Sequence, residues 1–162
     1  MSSHVSKPEE LSVQERFAPM SICFGCGPAN PGGLHIRSVE ADDGMVATWS
    51  ASPEHQAFPG VLNGGICGAL LDCHANWAAA MALMRATGAV RPPPTVTAEY
   101  SVRLHRPTPT DRPLTLRSHA VTVEGDRATA EAAIEVDGQV TASFRGTFVA
   151  VAPGHPAHHR WD

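Results

Sequence analysis

The longest apolar run in the chain, residues 62–84, repeats at spacings of three and four. Ile66, Ala69, Leu70, Cys73, Trp77, Ala80, Met81 and Met84 fall on one wide stripe, and Leu71, Ala75, Ala78 and Ala82 make much of the other side apolar. This predicts one α-helix over about 64–85, enclosed on nearly all sides. From residue 95 the period drops to two. Val96, Ala98, Tyr100, Val102 and Leu104 share one face of a strand. Leu114 and Leu116 open a second strand, Ala128, Ala130, Ala132, Ile134 and Val136 make a third, and Val140, Ala142, Phe144 and Phe148 a fourth. Pro107, Pro109 and Pro113 bracket the first connection, Glu124-Gly125-Asp126 the second, and Asp137-Gly138 the tight third. Upstream, Leu34 and Ile36 alternate with polar residues, Asp43-Gly44 offers a turn, and Met45, Ala47 and Trp49 alternate again, which predicts a hairpin. The order of hairpin, long helix and four-strand meander is that of an α+β fold, an antiparallel sheet packed around a single helix.

The 162 residues suit one domain. Residues 1–20 read as an arm with a short helical signal at Pro8, Glu9 and Glu10. Residues 21–151 form the domain, entered through a loop rich in Gly and Pro at 23–33, and the tail at 152–162 is expected to be disordered. With 43% hydrophobic and 17% charged residues the chain is ordinary for a globular protein. A net charge of −4 and the lack of any Lys/Arg run argue against nucleic acid or an anionic membrane as partner. The long helix approaches the length of a membrane span, yet it carries Asp72, His74 and Asn76. An Asp at the centre of a span costs roughly 2.5–3.5 kcal/mol, so a buried helix of a soluble protein is the better reading. The N-terminus lacks the basic start and apolar core of a secretory signal, which points to the cytoplasm and to reduced thiols.

A carboxylate within so apolar a helix needs a reason. Asn63 is a good N-cap, and the first N–H groups of the helix, at Gly64 and Gly65, have no intrahelical acceptor. Such a helix start favours a developing oxyanion, and glycines let a carbonyl come close to the backbone. At about 100° per residue, Asp72 returns nearly to the face of Gly65, about 10 Å further along the axis, with small Gly68 between them. Cys23 and Cys26 form a C-x-x-C of the kind found in zinc knuckles, but no second pair matches it. Cys67 and Cys73 stand about 240° apart on the helix and cannot present both thiols to one side. Packing within the loop is the expectation for the C-x-x-C, and no metal or cofactor is implied.

The segments CFGCGPANPGGLHI and HQAFPGVLNGGICGALLD, in this order of elements, resemble the hotdog-fold acyl-CoA thioesterases of the phenylacetate-pathway type over residues 21–150. In that family a His-Gly-Gly motif opens the central helix, and an Asp or Glu follows eight residues after its first Gly. Gly64 and Asp72 keep the spacing, Gly65 follows, and Asn63 replaces the His. The resemblance implies a hotdog fold, hydrolysis of an acyl-thioester with Asp72 as base or nucleophile, oxyanion stabilisation by Gly64 and Gly65, and a homodimer or homotetramer. It also places at Thr97 a hydroxyl that bonds the acid or the water across the subunit interface. His55 and Gln56, before the motif, are candidates for the pocket lining, and Arg103 and Arg106 for the phosphates of coenzyme A. Two other readings stay open. One is a non-catalytic acyl-thioester binding domain, suggested by the lost His; the other is a hotdog hydratase or dehydratase, which needs a His beside the acid, with His55 and His74 as candidates.

Overall fold

The structure is a computed structural model that describes residues 10–162; Pro8 and Glu9, where a helical signal was read, lie outside the described residues. Among the described residues, the first helix is capped at Ser12. Its hydroxyl accepts from the Glu15 N–H, and the Glu15 carboxylate accepts from the Ser12 backbone, a reciprocal cap that fixes α1 (Val13–Phe17). Five residues cannot hold a helix alone, and tertiary contact supplies the rest. Val13 and Ala18 enter the core, and the Val13 N–H donates to Ser38 O. The described end of the segment read as an arm, residues 12–18, is therefore packed on the fold.

The expected hairpin forms as β1 (Val39–Ala41) and β2 (Gly44–Trp49), shorter than its alternation suggested. Leu34 and Ile36 are buried but lie outside any strand, because their N–H groups donate to Phe24 O and Gly25 O of the cysteine loop. A 3-10 turn (Pro53–His55) and a two-strand flap, β3 (Gln56–Phe58) with β4 (Val61–Leu62), occupy the region expected to be loop. α2 (Gly64–Thr87) follows and ends at Gly88, whose φ of 70° is the left-handed cap that glycine takes without strain.

After α2 come β5 (Thr95–Leu104), β6 (Leu114–Glu124), β7 (Arg127–Val136) and β8 (Gln139–Ala150). The six-stranded antiparallel sheet has the order β1-β2-β6-β7-β8-β5. Asp137 and Gly138, with φ of 50° and 78°, make the β7–β8 turn, the positive pair that a two-residue hairpin turn requires. The four-strand meander is corrected at β5, which pairs with β8 and not with β6. The proline-rich 105–113 link is too long and too poor in N–H donors for a tight hairpin. It crosses the sheet end, held by Leu62 N–H to Thr108 O and by Thr108 Oγ1 to Thr141 Oγ1, which frees β6 to pair with β2.

The sheet wraps α2, which packs on β6, β7, β8 and β5. Alternate residues of β7, Ala128 to Val136, face inward, and the small side chains of Ala128, Ala130 and Ala132 let helix and sheet approach closely. α2 is apolar and long enough to cross a membrane, but 72% of its most apolar window is buried within the fold. The C-terminal tail, expected to be disordered, folds back onto the domain. Trp161 is buried and stacks on Trp77 of α2 at 4.2 Å, and Arg160 Nη1 donates to Thr95 O at 2.8 Å. A buried aromatic contact overrides the polar composition of the segment.

Candidate active site

Strand β5 runs antiparallel along one stripe of α2, and four contacts fix the register. Thr95 Oγ1 donates to Asn76 Oδ1 at 2.6 Å, and Thr97 Oγ1 donates to Asp72 Oδ1 at 2.7 Å. Val102 lies against Gly68, and Leu104 against Gly64, where a β-carbon would stand 3.1 Å from the Leu104 Cδ1. Helix positions 64, 68, 72 and 76 thus share a face at the i, i+4 spacing. Strand parity ought to forbid this, since Thr95 and Thr97 are odd and Val102 and Leu104 even. An irregularity between Thr97 and Glu99 inserts one extra residue in β5 and turns both sets towards the helix.

At the entrance to the helix, Asn63 acts as the N-cap: its Oδ1 accepts from the Ile66 N–H at 3.2 Å. Gly65 and Asn63 are exposed and Gly64 partly so, which leaves the positive helix end open to a ligand. Asp72, half-buried, has its carboxyl pKa raised above the ordinary value. Burial is the largest cause; the Thr97 hydroxyl opposes it, Cys23 adds to the rise, and Arg160 lowers it. One face of the helix therefore carries its open N-terminal end, a lining of small residues and a carboxylate of raised pKa oriented by a hydroxyl.

No family model and no curated protein matches the chain. Among solved structures it is similar to a thioesterase superfamily protein from Shewanella loihica PV-4, at 25% identity over 77% of this chain and 98% of that one, with a TM-score of 0.63. It is also similar to a second thioesterase superfamily protein, at 28% identity over 89% of this chain and 68% of that one, with a TM-score of 0.64. The chain has the hotdog fold of the thioesterase superfamily. The E. coli PaaI protein from the phenylacetic acid degradation operon shares this fold at 17% identity, over 74% of this chain and 81% of that one, with a TM-score of 0.59.

Against this thioesterase fold, the other predicted residues take varied places. The Thr97–Asp72 bond forms within one chain, not across a subunit interface as the resemblance implied. His55 Nδ1 accepts from the Ser52 N–H at 2.9 Å and its ring packs on Trp49, so the imidazole braces its own turn; its carbonyl accepts from the Asn63 N–H. Gln56 Oε1 accepts from the Gly60 N–H at 2.7 Å, which shapes the flap. Arg106 reaches Gln139 at 2.5 Å, while Arg103 lines a cavity of about 630 Å³ with Arg117, Glu131 and Arg145. This cavity contains neither Asp72 nor Gly64. His74 is fully buried between Ser38 Oγ, 2.8 Å from Nδ1, and Met45 O, 3.2 Å from Nε2. Neither imidazole is bonded to Asp72.

Sequence reasoning missed one cluster. Cys73 brings its sulfur to Cys23 and Cys26, while Cys67 turns away towards Thr108. Hydrogen bonds from its two neighbours hold the Cys23 thiol well below its ordinary pKa, and Cys26 is pushed up to about 12. The signal was present in part: Gly25, within the C-x-x-C, has its α-carbon so close to the helix that a β-carbon would stand 2.3 Å from Cys73 Sγ.

Proposed function

We propose that this chain is an acyl-thioester hydrolase acting on acyl-CoA in the reducing cytoplasm that its four free thiols suit. The observation that carries the reading is Asp72, a half-buried carboxylate of raised pKa within the apolar central helix, with its oxygen held by Thr97. In this reading Asp72 either takes a proton from the attacking water or attacks the thioester carbonyl itself. The Gly64 and Gly65 N–H groups stabilise the oxyanion, and collapse of the tetrahedral intermediate expels the coenzyme A thiolate, which then takes up a proton; where Asp72 has attacked, water then hydrolyses the acyl-aspartyl anhydride, releasing the acid and restoring the carboxylate. Arg103 and Arg106 flank Leu104, the residue against Gly64, and are assigned to the coenzyme A phosphates.

One length supports assembly from two copies. Gly64 and Asp72 are eight residues apart, about 12 Å along one helix axis, whereas a reacting carbonyl needs its oxyanion donors and its attacking atom each within roughly 3 Å. The two groups of one chain do not reach the same carbonyl, so a second copy completes each site and the enzyme is a homodimer, alone or within a tetramer. β5, at the open edge of the sheet and exposing Tyr100 and Leu104, is the edge we assign to that contact.

The hydratase reading needs an imidazole beside the acid, and both nearby histidines are engaged in other bonds. A panel of aryl, short-chain and long-chain acyl-CoA thioesters, followed by release of free coenzyme A, tests the proposal. Turnover of at least one thioester is expected, falling roughly 10²–10⁴-fold in Asp72→Asn with a smaller change in KM. Binding without turnover across the panel would favour the non-catalytic reading.

A further inference from the structure

We propose that Cys23, Cys26 and Cys73 form a zinc site that fastens the loop at residues 23–33 to the central helix. The three sulfurs lie within 4.8 Å of one another, with Cys23 Sγ and Cys73 Sγ 3.7 Å apart. Sulfurs bound at about 2.3 Å to a tetrahedral zinc ion stand about 3.8 Å from each other, so this separation is already that of two ligands on one ion. It is also well beyond the S–S bond length of about 2.05 Å.

The surroundings are built for thiolates. The Gly27 N–H closes the C-x-x-C turn on Cys23 O at 2.8 Å. Trp77 Nε1 donates to Cys26 Sγ at 3.4 Å from the next turn of the helix, an outer-shell bond of the kind that orients a metal ligand. Gly25 and Gly27 have no room for a side chain: a β-carbon on the first would meet Cys73 Sγ at 2.3 Å, and one on the second would meet Ser21 O at 2.4 Å. Among the described residues no carboxylate or imidazole joins the cluster, so the fourth position is left to water or a small anion. Because Cys73 follows Asp72, the ion would hold in place the helical turn that carries the carboxylate. The proposal does not depend on hydrolysis, and its test reads metal, not turnover.

The full chain, without a tag and with the tail histidines His155, His158 and His159 changed to Gln, is produced in zinc-supplemented medium and assayed for metal. About one zinc per chain is expected to survive dialysis, because three-thiolate sites bind tightly. Replacement by cobalt should give an intense near-ultraviolet thiolate-to-cobalt band together with tetrahedral visible bands. Cys73→Ser should lose both the zinc and the band, Cys67→Ser should keep both, and a strong chelator should lower the melting temperature of the parent chain. Should Cys73→Ser fail to fold, the cobalt spectrum of the parent chain decides alone. Absence of retained zinc together with absence of the thiolate band after reconstitution would overturn the site. So would an intact mass showing a Cys23–Cys73 disulfide in freshly purified protein that refuses zinc.

Discussion

Asp72 keeps its carboxylate where burial opposes the charge, and the Thr97 hydroxyl, at 2.7 Å, is the contact that counters burial most. A group whose folded pKa is raised binds its proton more tightly in the folded state, so the charged form at neutral pH detracts from stability. Asp72→Asn removes that charge and keeps the size. It should therefore raise the melting temperature at pH 7 while turnover collapses, the pattern expected of a site that trades stability for activity. Equal melting temperatures with equal turnover would make Asp72 an ordinary satisfied acid. Thr97→Val removes the bond that lowers the Asp72 pKa and changes little in volume. The acid limb of the kcat/KM profile, where the carboxylate becomes protonated, should then move to higher pH, with turnover down about tenfold or more. An unmoved limb would assign Thr97 to strand packing alone.

At the scale of elements, the buried strut at His74 joins α1, the residue before β1, and α2. Gln14 Nε2 donates to Ser38 Oγ, the Ser38 hydroxyl meets His74 Nδ1, and Nε2–H donates to Met45 O, so the imidazole is neutral and every partner is used. Burial is the largest cause that pushes its pKa from 6.5 to about 4. A depressed pKa gives stability that is complete above about 6.5 and fades as pH falls towards 4, because the unfolded chain binds the proton first. The full effect is about 3 kcal/mol. The urea midpoint should thus fall between pH 7 and pH 5, and His74→Asn, though less stable at pH 7, should show a visibly flatter fall. Parallel slopes in the two proteins would place the acid sensitivity elsewhere. The central helix and the β6–β7–β8 hairpins were legible because their periods and turn residues are local properties. The β5 crossover, the irregularity after Thr97 and the docking of Trp161 on Trp77 were not, because each is settled by partners distant in sequence. Asp72 and its glycines could be read from spacing within one helix; that Cys73 completes the C-x-x-C depends on how a loop fifty residues upstream folds onto that helix.

For the whole molecule, the proposed site is a property of two copies, and this has a consequence that no single-chain explanation shares. If Gly64 of one chain serves the same carbonyl as Asp72 of its partner, two inactive variants should rescue each other. Asp72→Asn removes the base. Gly64→Pro removes the first N–H donor at the one helical position where proline is well tolerated, and Asn63, with φ of −57° and ψ of 132°, already has the backbone that precedes a proline. Each variant alone should show turnover reduced by about 10²-fold or more, since losing either a base or an oxyanion donor costs at least that. In a heterodimer one site pairs the intact Gly64 of the first variant with the intact Asp72 of the second, and the other site carries both lesions. Random exchange yields half heterodimers, so the mixture should recover about a quarter of wild-type activity, and sedimentation should show the dimer throughout. No recovery from a mixture shown by mass to contain heterodimers would mean that each chain works alone. A strictly monomeric protein at micromolar concentration would remove the two-copy site altogether, and with it the role assigned to the open edge at β5.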